Sequence, residues 1–139
     1  MDGYRLVRAQ EVEFRDLDGL GHVNNAVYLN YLENAKVEYF REVVGAGSLE
    51  TLGIVADVKI AFRSPAFFGE ILAIGIRVGE VGTKSLRFDF EVRGPDERLI
   101  AEGSSVHVAF DYETREPVAV PGEWRRRIEA YEAESLATT

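Results

Sequence analysis

The spacing of apolar positions changes character along the chain. Residues 4–15, YRLVRAQEVEFR, hold no Gly or Pro and place Val12 and Phe14 on one face, which predicts a strand with partial alternation. From Ala26 to about Val44 the spacing becomes three and four. Tyr28, Leu32, Ala35, Tyr39 and Val43 form a stripe, and Val27, Tyr31, Phe40 and Val44 broaden it. That predicts a helix apolar over so much of its girth that other structure must wrap it. Gly45 and Gly47 are its expected stop.

After the helix the period becomes two. Ala56, Val58, Ile60 and Phe62 face one way, with Asp57, Lys59 and Arg63 opposite. Pro65 and Gly69 mark a turn, and Leu72, Ile74, Ile76 and Val78 alternate next. Beyond the turn GEVGTKS, Phe88, Phe90 and Val92 alternate with Asp89, Glu91 and Arg93. RGPDER is a hairpin turn, Val106, Val108 and Phe110 mark the last strand, and EWRRRIEAYEAESL predicts a terminal helix. Consecutive strands joined by short turns pair antiparallel. The expectation is an α+β fold, an antiparallel sheet of five or six strands around one long helix. Residues 1–139 read as one domain, with a core over about 4–121 and the terminal helix over about 122–136.

Composition narrows the chemistry. The absence of cysteine excludes a disulfide scaffold, a thiol nucleophile and a cysteine zinc site. A net charge of -8 repels phosphate backbones, so no nucleic-acid partner is expected, and a phosphate-bearing small ligand would need locally gathered cations. No apolar run approaches the roughly 20 residues that span a bilayer, and MDGYRLVRAQ is too charged for a secretory signal. The expected place is the cytoplasm, with no membrane partner.

One stretch carries more polar equipment than a turn needs: DLDGLGHVNN, residues 16–25, between the first strand and the helix. Gly19 and Gly21 allow positive φ and close approach of a ligand to the backbone. Asn24 or Asn25 is the expected N-cap. The free amides of the first helical turn, at the positive end of the dipole, would stabilise a carbonyl oxygen gaining negative charge. A carboxylate beside them can attack an acyl carbon or direct water onto it. Thioesters suit such a site, because a thiolate leaves without strong acid assistance. The plain alternative is a loop that only caps and turns. His22 and His107 are too few for a histidine metal centre, and the EF-hand spacing of oxygen ligands is absent, so no metal or cofactor is expected.

The stretch FRDLDGLGHVNNAVYLNYLENAKVEYF resembles the opening of the 4-hydroxybenzoyl-CoA thioesterase-like hotdog proteins, whose pattern is roughly D-x-D-x-x-G-H-V-N-N-x-x-Y before a long helix. AFRSPAFFGEILAIGIRV, GTKSLRFDFEV and LIAEGSSVHVAFDYETREPVAVP resemble the family's later strands, so the likeness covers about residues 6–121. The resemblance implies a hotdog fold and hydrolysis of an acyl thioester, acyl-CoA first and acyl carrier protein as the alternative carrier. It implies Asp18 as catalytic carboxylate, nucleophile or general base, and the Asn25 amide as oxyanion donor. Gly21, His22, Val23 and Asn24 would shape the substrate site, and Tyr28 and Glu33 would lie near the acyl pocket. Asp16 is expected to orient the loop, since two ionised acids close together raise one pKa. The resemblance also implies a homodimer joined sheet edge to sheet edge, paired again into a homotetramer, with sites at the dimer interface. Phe67 and Phe68 are candidates for an acyl tunnel, an interface or plain core. Arg63, Lys84, Arg87 and Arg125 to Arg127 are the candidate phosphate contacts. Two other readings compete. A hydratase would show D-x-N-P-x-H, which Asp18 and His22 do not fit, and a non-catalytic acyl-CoA-binding hotdog protein would bind without turnover.

Overall fold

The computed structural model describes residues 1–45 and 53–138. Strand β1 (Leu6–Glu11) leads into helix α1 (Val27–Tyr39), which runs on through a π-helical turn, Phe40–Val44. Strands β2 (Ile54–Phe62), β3 (Ile71–Val81), β4 (Ser85–Arg93) and β5 (Leu99–Val108) follow. A two-residue ribbon, β6 (Phe110–Asp111) with β7 (Glu116–Pro117), precedes helix α2 (Gly122–Thr138). The main sheet has five strands in the order β1-β3-β4-β5-β2, and every pairing is antiparallel.

The expected stripe of α1 is buried: Tyr28, Leu32, Ala35, Tyr39 and Val43 all lie inside, with Tyr31, Phe40 and Val44 beside them. Leu72, Ile74, Ile76 and Val78 of β3 and Phe88, Phe90 and Val92 of β4 supply the opposing face. Tyr39 and Phe40 meet Phe88 edge-on or tilted at 5.5 and 5.8 Å between centroids. Such pairs add about 1 kcal/mol each beyond their buried area. Trp124 packs on Phe40 and Ile128 is buried, so α2 contributes to the same core. Gly45, at φ +119°, ends the helical run, its N–H donating to the Phe40 carbonyl. Gly47, the other half of the expected stop, lies outside the described residues.

Three local expectations change. The first strand stops at Glu11 and not at Arg15, because Glu13 and Asp16 cap each other around a 3-10 turn, Phe14–Asp16. The turn buries Val12 and leaves Phe14 77% exposed, so the two do not share a strand face. In β2, Ala56 is the extra residue of a bulge between Val55 and Asp57. Val58, Ile60 and Phe62 stand opposite Ser105, Gly103 and Ala101, yet β2 is an edge strand and its apolar side chains remain largely uncovered. In β5 the inward face carries Ala101, Ser105 and His107, while Val106 and Val108 are half-buried on the other face and Phe110 falls in β6. Gly103 continues that inward row, where a side chain would overlap the Lys59 carbonyl and press on the Phe90 ring.

Lys36 sits inside this core at 2% exposure. Its ammonium donates to Ser105 Oγ at 3.0 Å and to Glu33 Oε1 at 3.2 Å. Burial pulls its pKa below the usual lysine value.

Candidate active site

The loop between the 3-10 turn and α1 is folded by its own backbone. Leu17 and Val23 form an isolated antiparallel bridge. Asp18 N–H donates to the His22 carbonyl at 2.9 Å, and Gly21 N–H donates to the Asp18 carbonyl at 3.2 Å. Gly21 stands at φ +86°, a conformation a side chain would strain, so glycine is what lets the turn close. The Asp18 carboxylate is thereby held near the surface. Its Oδ1 accepts from Leu20 N–H at 2.8 Å, and its Oδ2 lies 3.7 Å from His22 Nδ1. The two side chains are about three-tenths exposed, at 27% and 33%, open enough to meet a ligand.

Asp16 plays a different part. Its Oδ2 accepts from the Tyr31 hydroxyl at 2.7 Å and from Glu13 N–H at 2.9 Å, while its carbonyl accepts from Asn24 N–H at 3.0 Å. It borders a cleft of about 360 Å³ with Gln10, Val27, Asn30 and Asn34. Asp16 therefore ties the 3-10 turn, the loop and α1 together.

The entry into α1 differs from the expected cap. The N-cap is Ala26, with no side-chain cap. Asn24 acts earlier: its Oδ1 accepts from Ala26 N–H and its carbonyl from Val27 N–H, both at 2.9 Å, so its side chain is used up in the turn before the helix. Asn25 is exposed, and among the described residues its N–H meets no acceptor. An open amide thus stands at the positive end of α1.

Val23 is buried and its N–H donates to the Ala66 carbonyl at 2.9 Å; His22 bridges to Phe67. Tyr28 is buried, its ring 5.9 Å from Tyr31 and 5.6 Å from Phe62 on the β2 edge. Burial pushes its hydroxyl up to about 12. Glu33 is half-exposed and paired with Lys36. Phe67 and Phe68 are exposed, and Phe68 meets Phe14 edge-on at 6.1 Å, so neither is core.

Most of the candidate phosphate contacts are engaged within the chain. Arg63 pairs with Glu102 and Arg87 with Asp89 and Glu80. Arg125 donates to the Val81 and Gly82 carbonyls, and Arg127 to that of Val44. Among the described residues, Lys84 and Arg126 form no ion pair. No group of three or more His, Asp or Glu converges as a metal site among the described residues, and no helix there is long and apolar enough to cross a membrane.

Sequence spacing did not single out Glu70 and Arg98. Their ion pair, at 2.6 Å, adjoins the segment that pairs with His22 and Val23. The two are separated by 28 positions in the chain, so only the folded sheet brings them together.

Comparison with known proteins identifies the family of the chain. The chain is similar to a thioesterase of Thermus thermophilus, solved in complex with coenzyme A and Zn, at 34% identity and a TM-score of 0.87 over 96% of this chain and 98% of that one. It is 27% identical to the long-chain acyl-CoA thioesterase FadM of Escherichia coli over 81% of this chain and 89% of FadM. It is 32% identical to the chloroplastic acyl-acyl carrier protein thioesterase ATL3 of Arabidopsis thaliana, over 85% of this chain and 65% of the length of that protein. The model of the thioesterase-like superfamily matches residues 12–128. The chain belongs to the thioesterase-like superfamily and has the hotdog fold of its thioester hydrolases.

Proposed function

We propose that this protein hydrolyses an acyl-CoA to the free acid and coenzyme A at the Asp18 loop. The observation that carries the reading is a partly exposed carboxylate, its Oδ1 accepting from Leu20 N–H and its Oδ2 3.7 Å from His22 Nδ1, in the loop that leads into α1 past the open Asn25 amide. The thioester carbonyl would sit against that amide, and the negative charge that grows on its oxygen would meet the helix dipole. As nucleophile, Asp18 forms an acyl anhydride and expels the CoA thiolate, and water then cleaves the anhydride. As base, it takes a proton from water that attacks the same carbon, and the thiolate leaves from the tetrahedral intermediate. Gly21, Val23 and Asn24 shape the loop, and Tyr28 lines the acyl side.

The active unit in this reading is a homodimer, paired again into a tetramer. Among the described residues, strand β2 has a partner on one side only, and it exposes Ile54, Val58 and Phe62. Such an edge invites a second copy to extend the sheet. Phe62 touches Tyr28, so a partner on that edge would also close the acyl side of the site.

The likeness to the Arabidopsis enzyme supports acyl carrier protein as a second carrier. Thiol release from acetyl-, octanoyl-, palmitoyl- and benzoyl-CoA, and from the matching acyl carrier protein thioesters, tests both. Turnover of at least one CoA ester is expected. Release only from the carrier protein selects the second reading, and binding without any release contradicts hydrolysis.

A further inference from the structure

The Asp18 loop is not held by its own bonds alone. It is zipped to residues 65–70, the turn before β3, through the His22–Phe67 bridge and the bond from Val23 N–H to the Ala66 carbonyl. That turn is in turn gripped by two charged side chains. Glu70 Oε1 accepts from Phe67 N–H at 2.7 Å and from the Arg98 guanidinium at 2.6 Å. The same Arg98 nitrogen reaches the Pro65 carbonyl at 3.0 Å, and the guanidinium lies 5.8 Å from the centroid of the Phe67 ring. Arg98 is itself aimed from the β4–β5 turn, where Asp96 accepts from its other terminal nitrogen at 2.7 Å.

We infer that Glu70 and Arg98 are positioning residues for catalysis: one from the start of β3 and one from the β4–β5 turn, they clamp the 65–70 turn, and the turn sets where Asp18 stands. This rests on the reading of Asp18 as the catalytic carboxylate. Neither residue needs to touch substrate. An ordinary surface ion pair contributes little, because two mobile chains gain a screened attraction. This one is three-quarters or more buried, at 24% and 20% exposure, and each partner also binds the backbone of the turn. Charge-assisted bonds of this kind are short and directional. Arg98 holds the Glu70 carboxyl below the usual glutamate range, so the pair is charged at neutral pH.

The test compares wild type with Glu70→Ala, Glu70→Gln and Arg98→Lys. Two readouts are taken: thiol release from whichever of acetyl-, octanoyl-, palmitoyl- or benzoyl-CoA turns over best, and amide hydrogen exchange in the free protein. Glu70→Ala is expected to speed exchange at Val23 and Phe67 by about 10-fold or more while the β4 and β5 core amides stay protected. It should lower kcat by about 10-fold or more with KM within about 3-fold, the pattern of a misplaced reacting group. Glu70→Gln keeps an acceptor for both donors and should recover most of the rate. Arg98→Lys keeps the charge but not the fork, and should fall between; if Glu70→Ala does not fold, these two variants carry the test. Unchanged exchange at Val23 and Phe67 overturns the clamp. Faster exchange with unchanged kcat overturns its role in positioning. Full turnover by Asp18→Asn would instead refute the Asp18 reading, and the exchange readout keeps that failure separate from failure of the clamp.

Discussion

The Tyr31 hydroxyl donates to the Asp16 carboxylate at 2.7 Å, joining the second turn of α1 to the acid two residues before Asp18. The bond gives the D-x-D pair two distinct duties. Asp16 is spent on structure, while Asp18 keeps one oxygen toward His22 and solvent. Removing the hydroxyl with Tyr31→Phe should cost about 1.5–3 kcal/mol, the scale of a bond to a charged acceptor. Thermal unfolding should show the midpoint falling by several degrees, with a kcat loss smaller than that of Asp18→Asn. An unchanged midpoint would mean that Asp16 is held by Glu13 N–H alone.

Lys36 predicts a non-additive pair. Lys36→Ala removes a buried stem and leaves Ser105 Oγ without its donor, and should cost about 2 kcal/mol or more in urea unfolding. Lys36→Met combined with Ser105→Ala replaces both polar groups with apolar ones. Buried charges often lose to well-packed hydrophobes, so the double variant should lie within about 1 kcal/mol of wild type or above it. A double variant weaker than Lys36→Ala would contradict this account of the core.

Alkaline pH should loosen the fold. Burial pushes Tyr4 and Tyr28 up to about 12 and raises Tyr31 and Tyr39 further. Above about pH 10 the unfolded chain loses these phenolic protons while the folded chain keeps them, so stability falls as pH rises. Lys36 acts in the opposite sense. Its folded pKa is lowered, so its share of stability increases as pH rises from that value to the ordinary lysine range. Four tyrosines outweigh one lysine, and the urea midpoint should drop between about pH 10 and 12. Tyr28→Phe should flatten part of that drop; a level midpoint in wild type would show that burial does not govern these hydroxyls.

Much of the fold was legible because burial follows period. The stripe of α1 and the alternation in β3 and β4 are both inside where the spacing put them. Period misleads where a long-range partner decides. In β5 the valines look like the core, yet the register with β4 turns Ser105 toward Phe88 and His107 toward Leu86. Serine there is tolerated because Lys36 enters from α1 to meet it. The first strand looked longer than it is, since the reciprocal capping of Glu13 and Asp16 is a local bond that hydrophobic spacing does not register.

At the site, the loop composition pointed to a carboxylate ahead of the helix start and the family resemblance to Asp18 and His22, and the structure sets the Asp18 carboxylate 3.7 Å from His22 Nδ1. The cap residue was misread because Asn24 can serve the turn before a helix as well as the helix itself. The family resemblance puts Glu33 near the acyl pocket, and in the structure its carboxylate pairs with Lys36. Glu70 and Arg98 could not be paired from sequence, because the β4–β5 hairpin turn is what delivers Arg98 to the 65–70 turn.

The central claim is that Asp18 performs the chemistry. The most direct measurement is kcat for the best acyl-CoA with wild type and Asp18→Asn side by side, with thermal unfolding of both. The account predicts an unchanged fold and a kcat lower by about 10² or more, the scale of losing a positioned base. Equal kcat in the two proteins would contradict it.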